Sequence, residues 1–194
     1  MGVILDSRLS FEHHINYLYS SIHFILKRLY CLNSNLPLHV RANVAHALIM
    51  SKLLYGLEVY SATSVTLCGR IKVLFNSVAR YVFNVPLSNH ISNHTKDFLH
   101  FDVENFIVFR LLVYFYKIIA TQSPRYLVNE FAFSRSSRNQ QIVVPRVFNT
   151  IYERSFTVRV ARSWNCFPKE LKMFDFSPNL FKKKLTEYAL TNRL

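Results

Sequence analysis

Between Arg135 and Arg162 the chain carries six arginines, Arg135, Arg138, Arg146, Arg154, Arg159 and Arg162, against the single acid Glu153. Phe148, Tyr152, Phe156 and Trp164 are interleaved among them or follow directly. A guanidinium fork pairs bidentately with phosphate oxygens, and an exposed aromatic face stacks on an unpaired base, so these residue types in this order suit nucleic acid. The plainer reading is a solvated basic surface over an aromatic core. Both can hold at once, with the arginines outside and the rings inside. Arg70, Lys72 and Arg80 add outward cations on an earlier helical stretch. Lys182, Lys183 and Lys184 spread around the last helix rather than along one stripe, which reads as a solvated face.

Other chemistries find no residues to carry them. Two-metal phosphoryl chemistry needs carboxylates placed together, and no two acids are adjacent anywhere in the chain. Asp102-Val103-Glu104 comes nearest, and Asp102 reads better as a helix cap. No G-x-S-x-G nucleophile elbow is present. His90 and His94 have helical zinc spacing with His100 nearby, but the surrounding sequence is loop-like and no cysteine is close, so surface histidines are expected. Cys31, Cys68 and Cys166 are odd in number and far apart, which fits neither a disulfide framework nor a C-x-x-C site and points to a reducing, intracellular setting.

The charge agrees with the arginines. The sequence has 24 Lys+Arg against 11 Asp+Glu, a net charge of +13, in a field that favours polyanions. With 51% hydrophobic residues over 194 positions it has ample material for a core. The amino terminus lacks the basic and long apolar regions of a secretory signal.

Three glycines in the whole chain and clear helical spacing predict a mainly α fold. From a cap near Ser10, Phe11, Ile15, Leu18, Ile22, Leu26 and Leu29 form one apolar stripe, with Glu12, Asn16, Tyr19, His23 and Tyr30 opposite. A second helix from near Pro37 turns Val40, Val44, Leu48 and Ile49 inward as far as Tyr55-Gly56. A third, from about Ser64 to Phe83, buries Leu67, Ile71, Leu74, Phe75, Val78 and Val82, and the three form a helical bundle. Val103 to Ala120 is the most apolar stretch. Glu104, Asn105, Arg110 and Lys117 interrupt it, and each charge at mid-membrane costs roughly 2.5–3.5 kcal/mol, so it reads as a buried helix with a wet edge along Arg110, Tyr114, Lys117 and Thr121. Residues 134–150, polar then β-branched, read as a linker. SFTVRVARSWN reads as a short strand or turn passing into helix, and Ser177-Pro178 as the start of a last helix presenting Phe181, Leu185 and Tyr188.

The order of several short motifs resembles a known family. Gly2-Val3-Ile4-Leu5-Asp6, then Leu9-Ser10-Phe11 and His14-Ile15, is similar to a passage that follows the catalytic aspartates in LINE-type (non-LTR, jockey-like) retrotransposon reverse transcriptases. Leu53-Leu54-Tyr55-Gly56 resembles that family's "LLYG", and Arg80 stands where it usually has an arginine. Pro124-Arg125-Tyr126-Leu127, Val144-Pro145-Arg146, Ser155-Phe156, Trp164-Asn165-Cys166-Phe167-Pro168 and Phe181-Lys182 follow in the family's order, covering nearly the whole chain. No one motif is specific, whereas the ordered series is. Phe167 stands where the family usually has leucine.

The resemblance implies the carboxy-terminal part of an RNA-directed DNA polymerase. Residues 1–90 would be the end of a primer-grip passage, with Gly2, Val3 and Ile4 as its primer-grip-like residues, followed by a helical thumb. A buried helix region (91–133), the linker and an α-rich tail with a short β element (151–194) would complete it. The fingers, the palm and its aspartates are not in this sequence, so no catalysis by the chain alone is expected, no cofactor is expected in it, and magnesium belongs only to the intact enzyme. Expected partners are RNA, DNA or an RNA–DNA hybrid held through backbone phosphates, and the missing palm or a host protein on an exposed bundle face. No membrane is expected, and the setting would be nucleus or cytoplasm. The rival readings are a host-retained protein-interaction module and a pseudogene product without function.

Overall fold

The computed structural model describes residues 2–32, 36–134, 140–172 and 176–191. The chain is mainly α-helical and divides into two compact units, residues 1–104 and 105–194.

The first unit is built on α1 (Glu12–Cys31) and α5 (Val65–Phe83), which pack on each other. The stripe of α1 expected from the sequence is the buried one, Ile15, Leu18, Ile22, Leu26 and Leu29. Leu67, Ile71, Leu74, Phe75, Val78 and Val82 of α5 are buried likewise. Each such side chain contributes roughly 1.5–3 kcal/mol by leaving water, which is why the spacing was decisive. Ser64 caps α5 by accepting from the Leu67 N–H, and Asn84, in the left-handed region, ends it. α6 (Ser92–Leu99) packs on α5.

The second helical run departs from expectation. α2 (Leu38–Ala45) passes through one π turn, His46–Met50, into α3 (Ser51–Leu54). The inward residues are Ala45, Ile49, Met50 and Leu53, whereas Leu48 is exposed and Val40 and Val44 are only partly covered. A π turn takes an extra residue, so the core face after it is shifted from where a 3.6-residue period would put it. Gly56, at φ 69°, then separates α3 from α4 (Leu57–Tyr60) as the latter's left-handed N-cap.

The entry to α1 also differs. Its cap position is Phe11, at φ 59° and without a side-chain cap, rather than Ser10. Leu9 is left-handed as well, at φ 49°. The Asp6 carboxylate holds this turn, accepting from the backbone N–H of Arg8 (3.0 Å), Ser10 (3.0 Å) and Phe11 (2.8 Å) and from the Ser10 hydroxyl (3.0 Å). These bonds, the Ser10 N–H foremost, hold the Asp6 pKa below its ordinary value.

The second unit begins within α7 (Val103–Thr121), a largely buried helix with Leu111, Leu112, Phe115, Tyr116 and Ile118 inside; of the expected wet edge Tyr114, Lys117 and Thr121 are exposed and Arg110 is half-buried. α8 (Arg125–Asn129), α9 (Thr150–Glu153), α10 (Phe156–Asn165), a 3-10 turn (Lys169–Leu171) and α11 (Pro178–Thr191) follow. Their core is aromatic: Phe115 meets Phe131 and Trp164 edge-on at 4.8 and 5.2 Å, and Tyr116 stacks on Phe181 at 3.9 Å. SFTVRVARSWN is helical from Phe156, entered from a turn at Arg154 and Ser155 and with no strand among its residues. Ser155 accepts from the Val158 N–H, and Val158, Ala161 and Trp164 extend the buried side at helical spacing. The β element expected in the tail is not found among the described residues of 151–194, and the one isolated antiparallel bridge described joins Phe133 and Ile142, ahead of it.

Candidate nucleic-acid interface

The outward cations of α5 are each turned toward their own unit. Arg70 donates to the Asn16 side-chain oxygen on α1, Lys72 forms an ion pair with Glu104 at 3.3 Å, and Arg80 donates to the Pro86 carbonyl. The Lys72–Glu104 pair is solvent-exposed on both sides, so it contributes at most about 1 kcal/mol.

In the tail, Arg135 and Arg138 lie outside the described residues. Arg146 and Arg154 are exposed, and the Arg146 guanidinium lies 5.5 Å from the centre of the Phe148 ring, itself 79% exposed. Arg159 and Arg162, three apart on α10, share the side opposite its buried stripe, and Arg162 pairs with Glu153 at 2.7 Å. The interleaved aromatics divide. Trp164 is core and Phe156 is half-buried, whereas Phe148 and Tyr152 are exposed beside the arginines. The segment 140–154 therefore presents cations and open ring faces together, an arrangement able to pair with phosphates and stack on a base.

Gly2, Val3 and Ile4 lie in the arm before α1. Val3 packs against Gly56 so closely that a Cβ on Gly56 would stand 2.7 Å from a Val3 methyl. The Ile4 N–H donates to His14 Nδ1 at 3.4 Å, the His14 ring meets Tyr60 edge-on at 5.0 Å, and Tyr60 donates to the Leu53 carbonyl. Thr63 donates to the Ser10 carbonyl at 2.7 Å. The sequence motifs at 2–15 and 53–56 thus meet in one knot of contacts. Burial holds the His14 pKa below its ordinary value, and its Nε2 is buried without a hydrogen-bond partner.

The tail motifs are likewise held in place by the packing of their unit. The Trp164 indole donates to the Gln140 carbonyl at 2.9 Å, Phe167 meets Tyr188 at 5.5 Å, and Lys172, buried, donates to the Asn165 carbonyl at 3.0 Å. Burial depresses the Lys172 pKa. Lys183 pairs with Glu187, and Lys184 lies over Phe176 at 3.8 Å.

Among the described residues no group of three His, Cys, Asp or Glu could hold a metal ion. His90 and His100 are exposed, and His94 lies against Phe83 at 5.1 Å. No helix among the described residues is long and apolar enough to cross a membrane.

Sequence reasoning missed a set of exposed groups on α1. Tyr17, Phe24 and Arg28 share a stripe there, with Arg28 lying over Phe24 at 4.3 Å. The available signal was the absence of any acid between Glu12 and Glu58. Compared with protein-family models, curated proteins and solved structures, the chain matches none.

Proposed function

We propose that the chain is a thumb-and-tail portion of a non-LTR retrotransposon reverse transcriptase, and that it binds nucleic acid by its backbone with little regard to base sequence. The observation that carries the reading is the ordered series of family-like motifs spanning residues 2–182, in a chain of net charge +13. Support comes from the contacts among those motifs, Val3 on Gly56 and Thr63 on Ser10, and from the exposed cations and rings of 140–154. The groups offered are guanidiniums and ammoniums, so affinity should be dominated by phosphate contacts and fall steeply with salt. With no adjacent carboxylates to hold two metal ions, the sequence given supplies binding and not polymerisation. Filter binding of an RNA–DNA hybrid at about 50 mM salt tests it. Binding that is sequence-tolerant and weakens log-linearly with salt is expected, and no affinity for the hybrid at that salt sinks the reading.

A second reading, a protein-interaction module, is favoured by one group of residues. Ile4, Leu5, Tyr55 and Val59 are all exposed apolar side chains on or next to the two segments joined at Val3 and Gly56. Size-exclusion chromatography giving a clean monomer that binds no hydrophobic dye counts against it.

A further inference from the structure

α1 has two faces with different demands. Its inner stripe, Ile15, Leu18, Ile22, Leu26 and Leu29, is buried in the first unit. On the other side His13, Tyr17, Phe24 and Arg28 recur four, seven and four residues apart and fall within one narrow stripe of helix surface. Tyr17 is 58% and Phe24 57% exposed, so neither ring is needed to fill the core. The Arg28 guanidinium lies over the Phe24 ring at 4.3 Å, and Lys27 stands beside it in sequence, also exposed. No carboxylate follows Glu12 on this helix.

We propose that this stripe is a stacking platform for the unpaired nucleotides of a single strand. An aromatic face attracts any base whose own face is open, and a guanidinium plane already laid on a ring extends the platform by one layer. Tyr17 and Phe24 are about 10 Å apart along the helix, so bases of one strand reach both. Phosphates of that strand meet Lys27 and Arg28 on the later turns, which carry no acid, and His13 at the start, where Glu12 is the helix's one carboxylate. A duplex hides its base faces, so this surface discriminates for open strands, which the phosphate-pairing arginines of the tail do not. A lipid surface fits less well, because an interfacial helix lays its broad apolar face into the bilayer and that face of α1 is occupied by the core. The inference rests on the nucleic-acid reading above and adds a strand-selective site to it.

The test uses the full chain, fluorescence anisotropy, and two probes of equal length at about 50 mM salt: labelled oligo-dT and a blunt RNA–DNA hybrid. Y17S/F24S is expected to lower oligo-dT affinity about tenfold or more while hybrid affinity changes little, and Y17F/F24W is expected to retain both. Tyr17→Ser and Phe24→Ser singly, each with a smaller loss on oligo-dT, serve if the double variant does not fold. Unchanged oligo-dT affinity in Y17S/F24S overturns the platform and leaves the nucleic-acid reading standing. Wild-type protein binding neither probe removes both. An equal loss on the two probes overturns base stacking in favour of backbone contact. Anionic vesicles bound by wild type and released by Y17S/F24S, or a dimer dissolved by it, overturn the proposal in favour of lipid or of a second copy.

Discussion

Asn165 and Ile142 are paired as two adjacent strands would be. The Ile142 N–H donates to Asn165 Oδ1 at 3.0 Å, and Asn165 Nδ2 donates back to the Ile142 carbonyl at 2.8 Å. The Ile142 side chain is 2% exposed, so it draws its backbone toward the core, and one carboxamide at the end of α10 satisfies both backbone groups.

Asn165→Ala strips Ile142 of both partners and is expected to cost about 3 kcal/mol, read from the urea midpoint, since each unsatisfied group costs about 1–3 kcal/mol. Asn165→Asp keeps the acceptor but sets a carboxylate oxygen against the Ile142 carbonyl. It should be less stable than wild type near neutral pH and recover as acid converts that oxygen to a hydroxyl donor. A pH-independent deficit in Asn165→Asp counts against the pairing.

Gly56→Ala meets two obstacles, the left-handed backbone at φ 69° and the Val3 methyl that would stand 2.7 Å from the new Cβ. The backbone term is about 1–2 kcal/mol. Val3→Ala in the Gly56→Ala background should recover the steric part and leave the backbone part, a coupling that a double-mutant cycle measures. Strict additivity would mean that Val3 and Gly56 do not touch.

Acid should act on the first unit in two steps. His14 and His23 are held below their ordinary pKa by burial, so the unfolded chain takes up their protons first. Their contribution is complete above about pH 6.5 and is lost as pH falls through the depressed folded values. Asp6, held low mainly by the Ser10 N–H, contributes fully above its ordinary carboxylate value and loses that contribution only as pH falls through its own lowered value. In thermal midpoints measured against pH, His14→Phe should flatten the upper limb and leave the lower one. An unchanged upper limb means that His14 does not drive it.

Glu153 shields Arg162 at 2.7 Å. If α10 faces phosphate, Glu153→Gln tightens hybrid binding, and R159Q/R162Q weakens it while reducing the log–log salt slope by roughly 2, near 0.9 for each lost contact. Salt titration of the filter-binding affinity gives both numbers. An unaltered slope in R159Q/R162Q places the interface elsewhere.

The helices that sequence exposed best are those whose core face keeps an unbroken period, α1 and α5. α2 was legible in position but not in face, because the His46–Met50 turn shifts the register and nothing in a hydrophobic pattern marks an extra residue. Val158 and Val160 alternate as a strand would, and only Ala161 and Trp164 at further helical spacing, with Ser155 as cap, favour helix. Of the candidate interface, residue types were readable and partners were not. That Arg70 reaches Asn16 across 54 positions, or that Lys72 finds Glu104, is a property of packing. Tyr17 and Phe24 lie off the apolar stripe that the sequence marks, and what the sequence does not display is that the Arg28 guanidinium is laid on the Phe24 ring.

Trp164 is the chain's single tryptophan, buried at 1% exposure in the aromatic core of the second unit and bonded through its indole to Gln140. The protein therefore carries its own spectroscopic reporter on one unit only. Indole emission follows the surroundings of Trp164 within residues 105–194, whereas the helices of residues 1–104 carry no tryptophan and contribute to far-ultraviolet dichroism. Superimposable denaturation curves from the two signals would mean that the halves melt as one cooperative body, and separated curves that each has a stability of its own.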